Sequence, residues 1–87
     1  MKFQDVAVNR EERYALGTEQ ASGRHYLSIP VSNGLVDYEE YYELSQDEFD
    51  RYRADLGSAL PLVQQARNRQ VDHRLIQQPG SKRGTAI

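Results

Sequence analysis

Residues 26–44, YLSIPVSNGLVDYEEYYEL, decide the fold. Two runs rich in β-branched and aromatic residues, His25–Val31 and Leu35–Leu44, flank Ser32-Asn33-Gly34. An Asn-Gly pair tolerates the positive φ angles of a tight type I′ turn, so the stretch reads as a β-hairpin. With Asn33 and Gly34 at the two turn positions, Ser32 pairs with Leu35, Val31 with Val36, Ile29 with Tyr38, Leu27 with Glu40 and Tyr26 with Tyr41. Successive strand residues point to opposite faces, and that register sorts them. Leu27, Ile29, Val31, Val36, Tyr38, Tyr42 and Leu44 form a core face, with Glu40 the exception. Tyr26, Ser28, Pro30, Asp37, Glu39, Tyr41 and Glu43 form an acidic, tyrosine-bearing face expected to meet solvent. Pro30 donates no ladder bond and belongs at an edge or bulge.

Working outward, Arg13–Thr18 alternates Tyr14 and Leu16 with smaller residues and reads as a strand, joined to the hairpin by a polar loop containing Ser22-Gly23. Phe3–Val8 fits either a fourth strand or a short helical turn. On the other side, Ser45-Gln46-Asp47-Glu48 is a capping box that opens a helix. Phe49, Tyr52 and Leu56 give that helix one apolar stripe, and Gly57 is a natural stop. Ser58 and Pro61 then start a second helix that turns Leu62, Val63 and Ala66 inward. The expectation is an α+β domain: a three- or four-stranded antiparallel meander packed on one or two short C-terminal helices. Residues 1–76 constitute this single domain, and 77–87, QQPGSKRGTAI, read as a flexible basic tail.

Eighty-seven residues suit one domain, and only twenty are Val, Ile, Leu, Met or Phe. So thin a core implies modest stability, to which a partner binding only the folded form would add. The absence of cysteine excludes a disulfide framework and thiolate metal sites and fits a cytoplasmic protein. No apolar run approaches the length of a membrane span, and the first residues lack the pattern of a secretory signal.

The net charge of −2 conceals a division. Residues 1–50 hold four Lys/Arg against eleven Asp/Glu, whereas residues 51–87 hold seven against two. Either the halves neutralise each other on folding or each offers an interaction surface.

Catalysis has little to work with. His25 and His73 lack metal-binding spacing, and Asp72-His73 adjoin in sequence, which on a helix turns them apart. The carboxylates Asp37, Glu39 and Glu43 share a face that meets water, whereas general acids need burial to raise their pKa. No phosphate loop or nucleophile motif is present. The expectation is a non-enzyme, with no cofactor and no metal. Two binding surfaces remain. Tyr26, Asp37, Glu39, Tyr41 and Glu43 combine stiff aromatic contact area with charge that would steer a basic protein partner. Arg67, Arg69, Arg74, Lys82 and Arg83 offer an alternative basic surface for nucleic acid, against which stands an acidic sheet.

In size, acidity and layout, Tyr26–Leu44 followed by a capped helix resembles small bacterial immunity-type proteins, over roughly Glu11 to Arg69. The resemblance implies a stoichiometric inhibitor of a cognate toxin, commonly a basic nuclease, with acidic groups standing in for substrate phosphates. The alternative is an antitoxin-like regulator that uses the basic C-terminal region.

Overall fold

A computed structural model describes all residues, 1–87. Four strands run in sequence order across one antiparallel sheet: β1 (Phe3–Asn9), β2 (Tyr14–Glu19), β3 (His25–Ser32) and β4 (Asp37–Leu44). Helix α1 (Gln46–Ala54), a 3-10 turn at Leu56–Ala59, helix α2 (Leu60–Arg67) and a second 3-10 turn at Asp72–Arg74 follow. A fifth strand, β5 (Thr85–Ala86), then pairs with Val31 and Ser32 of β3, beyond the point where β2 leaves it. The α+β meander therefore holds, with one strand more than the sequence indicates.

The hairpin differs from its sequence reading in register. Ser32 pairs with Asp37, Ile29 with Glu40 and Leu27 with Tyr42, so the loop has four residues, Asn33 to Val36. The cause is the Asn33 side chain, whose Oδ1 accepts from the amides of Leu35 and Val36, both at 3.0 Å. That holds both residues in the turn, and of the Asn-Gly pair only Gly34 takes a positive φ. A shift of two preserves the sorting of faces, because the side-chain period is two. Leu35 and Val36 are instead exposed at the tip.

The inner face carries the core. Leu16, Leu27, Ile29, Val31, Tyr42 and Leu44 pack against Phe49 and Tyr52 of α1 and Leu62, Val63 and Ala66 of α2. Ser45 and Glu48 close the capping box that starts α1. The helix ends at Ala54 with Asp55 extended, not at Gly57, and Asp55 rather than Ser58 caps the following 3-10 turn. His25 lies flat on Phe49, centroids 3.9 Å apart, its ring nitrogens bonded to Thr18 and Gln46. It is part of the packing.

Residues 77–87 are not a free tail. The Arg83 guanidinium bridges Glu40 at 2.8 Å and Asp72 at 2.7 Å. Gly84 donates to the Tyr38 hydroxyl at 2.6 Å and packs so closely on the Ser32 backbone that a Cβ would collide with it. Glu40, only 6% exposed, is thus the core-face exception that a basic residue far along the chain resolves.

Candidate functional site

The outer face of the sheet is built by cross-strand rows. One row runs Asp5, Gly17, Tyr26, Glu43, and the next runs Val8, Ala15, Ser28, Tyr41. In the first row Gly17 has no side chain, and the Tyr26 ring occupies the vacant place: a Cβ on Gly17 would collide with it. Its hydroxyl reaches over β2 to donate to Asp5 Oδ1 at 2.6 Å. Burial together with the Asp5 carboxylate pushes the Tyr26 phenol far above its usual range.

Tyr26 is therefore 0% exposed, which corrects its expected place at the solvent surface. Phe3 is the physical reason. Its ring stacks on Tyr41 at 3.6 Å and meets Tyr26 edge-on at 5.5 Å, closing an aromatic cluster on this face. Tyr41 is left half-buried, while Asp37, Glu39 and Glu43 remain exposed as expected.

In the second row the two central residues, Ala15 and Ser28, are small, and the surface sinks there into a hollow of about 270 Å³. Asp5, Val8, Pro30 and Glu39 wall it, and Arg10 and Arg13 of the β1–β2 turn border it. A second hollow, about 450 Å³, lies between Tyr38–Tyr41 and the Gln77–Lys82 segment. Glu39 is common to both hollows, so its strand segment forms a ridge between them.

Electrostatics single out the same residue. Partial loss of hydration at its carboxyl, and then the charge of Asp5, raise the pKa of Glu39, although the side chain as a whole is exposed. Glu19 behaves in the opposite way. The amides of Ala21, Lys2 and Ser22 converge on it and hold it down to about 2. Glu39 has no such partners. No salt bridge involves Asp5, Asp37, Glu39 or Glu43.

The basic residues fare differently. Arg74 forms a bidentate pair with Glu48, both bonds 2.9 Å, and donates to the Glu43 carbonyl. Arg83 is taken by Glu40 and Asp72. Arg67 bonds the Glu12 carbonyl and Arg69 the Gly84 carbonyl. Lys82 alone of the five has an exposed, uncommitted side chain. Two of the five, Arg74 and Arg83, are thus neutralised by carboxylates, while Arg67 and Arg69 are anchored to backbone carbonyls and keep their charge.

Sequence reading missed Phe3, Asp5, Val8, Arg10 and Arg13, since the first residues fitted two conformations. A signal was present in the small residues Ala15 and Gly17, which leave the outer face of a strand unfilled. His73 is exposed and lines neither hollow, and no group of three or more His, Asp or Glu is placed to hold a metal ion. Compared with family models, curated proteins and solved structures, the chain matches none of them.

Proposed function

We propose that this chain is a non-catalytic binding protein, an immunity-like inhibitor that applies the outer face of its sheet to a basic protein such as a toxin nuclease. The observation that carries this reading is which charges folding leaves free. Asp5, Asp37, Glu39 and Glu43 lie on one face without a salt bridge, whereas Arg74 and Arg83 are bound into ion pairs. Free carboxylates steer a basic partner and accelerate docking, and half-buried Tyr41, braced by Phe3, supplies a stiff apolar contact. Inhibition would follow from occlusion, the carboxylates occupying the places of substrate phosphates. Lack of cysteine agrees with action in the cytoplasm. No helix is long and apolar enough to cross a membrane.

The test is a calorimetric titration of the chain against the protein encoded beside it, with duplex DNA and structured RNA in parallel. Asp37→Lys with Glu39→Lys should weaken protein binding by about a hundredfold, since like charges facing a basic surface cost several kcal/mol. The same variant should keep its stability within roughly 0.5 kcal/mol, both side chains being exposed. Lys82→Glu is the control: loss of function there, with none in the acidic pair, transfers the function to nucleic acid.

A further inference from the structure

The hollow over Ala15 and Ser28 has properties that docking on a basic protein does not require. Two carboxylates, Asp5 and Glu39, and two guanidinium groups, Arg10 and Arg13, surround it. Opposite charges so close in space ordinarily pair, yet no salt bridge forms among these four. Their sum is neutral, so the hollow as a whole favours neither a cation nor an anion; it favours a ligand whose own charges are separated.

Its floor adds an independent observation. Ser28 is only 3% exposed and lines the hollow. Its hydroxyl makes no hydrogen bond within the protein, and no fully buried side-chain oxygen or nitrogen lacks a partner. The oxygen therefore opens on the hollow, available to a ligand that enters. Every other hydroxyl on a serine or threonine of the sheet that is comparably placed has an occupation: Thr18 bonds His25, and Ser32 accepts from Gly34. At about 270 Å³ the space lies just under the usual size of ligand pockets, and Val8, Ala15 and Pro30 give it an apolar stretch of wall beside Asn9 and Tyr14.

We propose that this hollow binds a free α-amino acid with a small apolar side chain, its ammonium group between Asp5 and Glu39, its carboxylate toward Arg10 and Arg13, and Ser28 bonding from below. An ammonium at that position also offsets the partial loss of hydration and then the Asp5 charge, which together raise the Glu39 pKa. The inference shares Asp5 and Glu39 with the protein-partner reading but adds Arg10, Arg13 and Ser28, which that reading does not use.

The experiment is a titration of the ¹⁵N-labelled full chain with L-valine and L-alanine, followed through the amide signals of Ala15 and Ser28. L-Valinamide, which keeps only the positive charge, and N-acetyl-L-valine, which keeps only the negative, serve as matched probes. Saturable shifts with the amino acids, and binding weakened about tenfold or more by either derivative, are the expected result. Arg13→Gln should abolish the preference for valine over valinamide, and Glu39→Gln the preference for valine over N-acetylvaline. Ser28→Ala, nearly isosteric, should weaken binding with the spectrum otherwise unchanged. Absence of saturable shifts up to about 10 mM overturns the proposal. So does binding of valinamide as tight as that of valine, which makes the hollow a cation pocket and returns it to the protein interface.

Discussion

The two faces of the same sheet solve opposite problems. On the inner face large apolar side chains from β2, β3 and β4 fill the space beneath two helices, and its single acid, Glu40, is matched by Arg83. On the outer face small residues, acids and a few aromatics predominate, and only one end is filled, by Tyr26 lying over Gly17 with Phe3 against it. The other end stays open at Ala15 and Ser28 and carries charges that form no salt bridge. The difference teaches where folding free energy was committed. Desolvation on the inner face is compensated group by group, whereas the outer face keeps unsatisfied charge at the surface, as binding sites do.

The contrast breaks most visibly at Arg83. Arg83→Met leaves Glu40 buried without its cation, and removing one partner of such a pair is strongly destabilising. Allowing for the half-open Asp72 side, the expected loss is about 3 kcal/mol by urea denaturation, with the β5 amides losing hydrogen-exchange protection. Arg83→Met combined with Glu40→Leu should recover most of it. Failure of the double variant to recover would mean that Arg83 acts by anchoring β5 and not by neutralising Glu40.

A smaller effect tests whether the outer face is packed at all. Gly17→Ala drives a methyl into the Tyr26 ring and the Gln4 carbonyl, so Tyr26 must leave its place. Overpacking of this kind costs about 2 kcal/mol, and near-ultraviolet circular dichroism should report the displaced tyrosine. A fully stable Gly17→Ala protein would show that the aromatic cluster is ornamental to the fold.

The smallest effect separates the carboxylates themselves. Glu48, held at about 2 by Arg74, and Glu19, held at about 2 by backbone amides, are lowered relative to the unfolded chain. Their contribution is present above the ordinary carboxylate range near 4.5 and is lost as pH falls from there through about 2. Glu39 has the opposite sign: its raised pKa favours the protonated form in the folded state, so acidification relieves strain there. Carboxyl NMR titration should therefore order Glu19 and Glu48 well below Glu39. Glu48→Gln should flatten part of the acid limb of the stability profile by less than about 1 kcal/mol, the pair being solvent-screened.

Much of this protein is fixed locally and could be read without coordinates. The Ser45–Glu48 capping box, the inward turn of Leu62, Val63 and Ala66, and the alternation that sorts β3 from β4 depend on residues a few positions apart. Face assignment even survived a register error of two, because the period of a strand is two. The β3–β4 loop was less legible, since the capture of two amides by Asn33 competes with the tight turn on nearly equal local terms.

Tertiary structure alone decided the rest. Tyr26 alternates as a solvent-facing residue in sequence, yet it is buried because Phe3 and Asp5, more than twenty residues earlier, arrive over Gly17. The last eleven residues look like a tail, yet they dock because Arg83 meets a carboxylate forty-three positions away. The charge division between halves was plain in the sequence, but not that folding would bind Arg74 and Arg83 into ion pairs and leave the acids of the outer face without any. Local propensity acts over a few residues, whereas burial and electrostatic neutralisation act between groups that only the completed chain brings together.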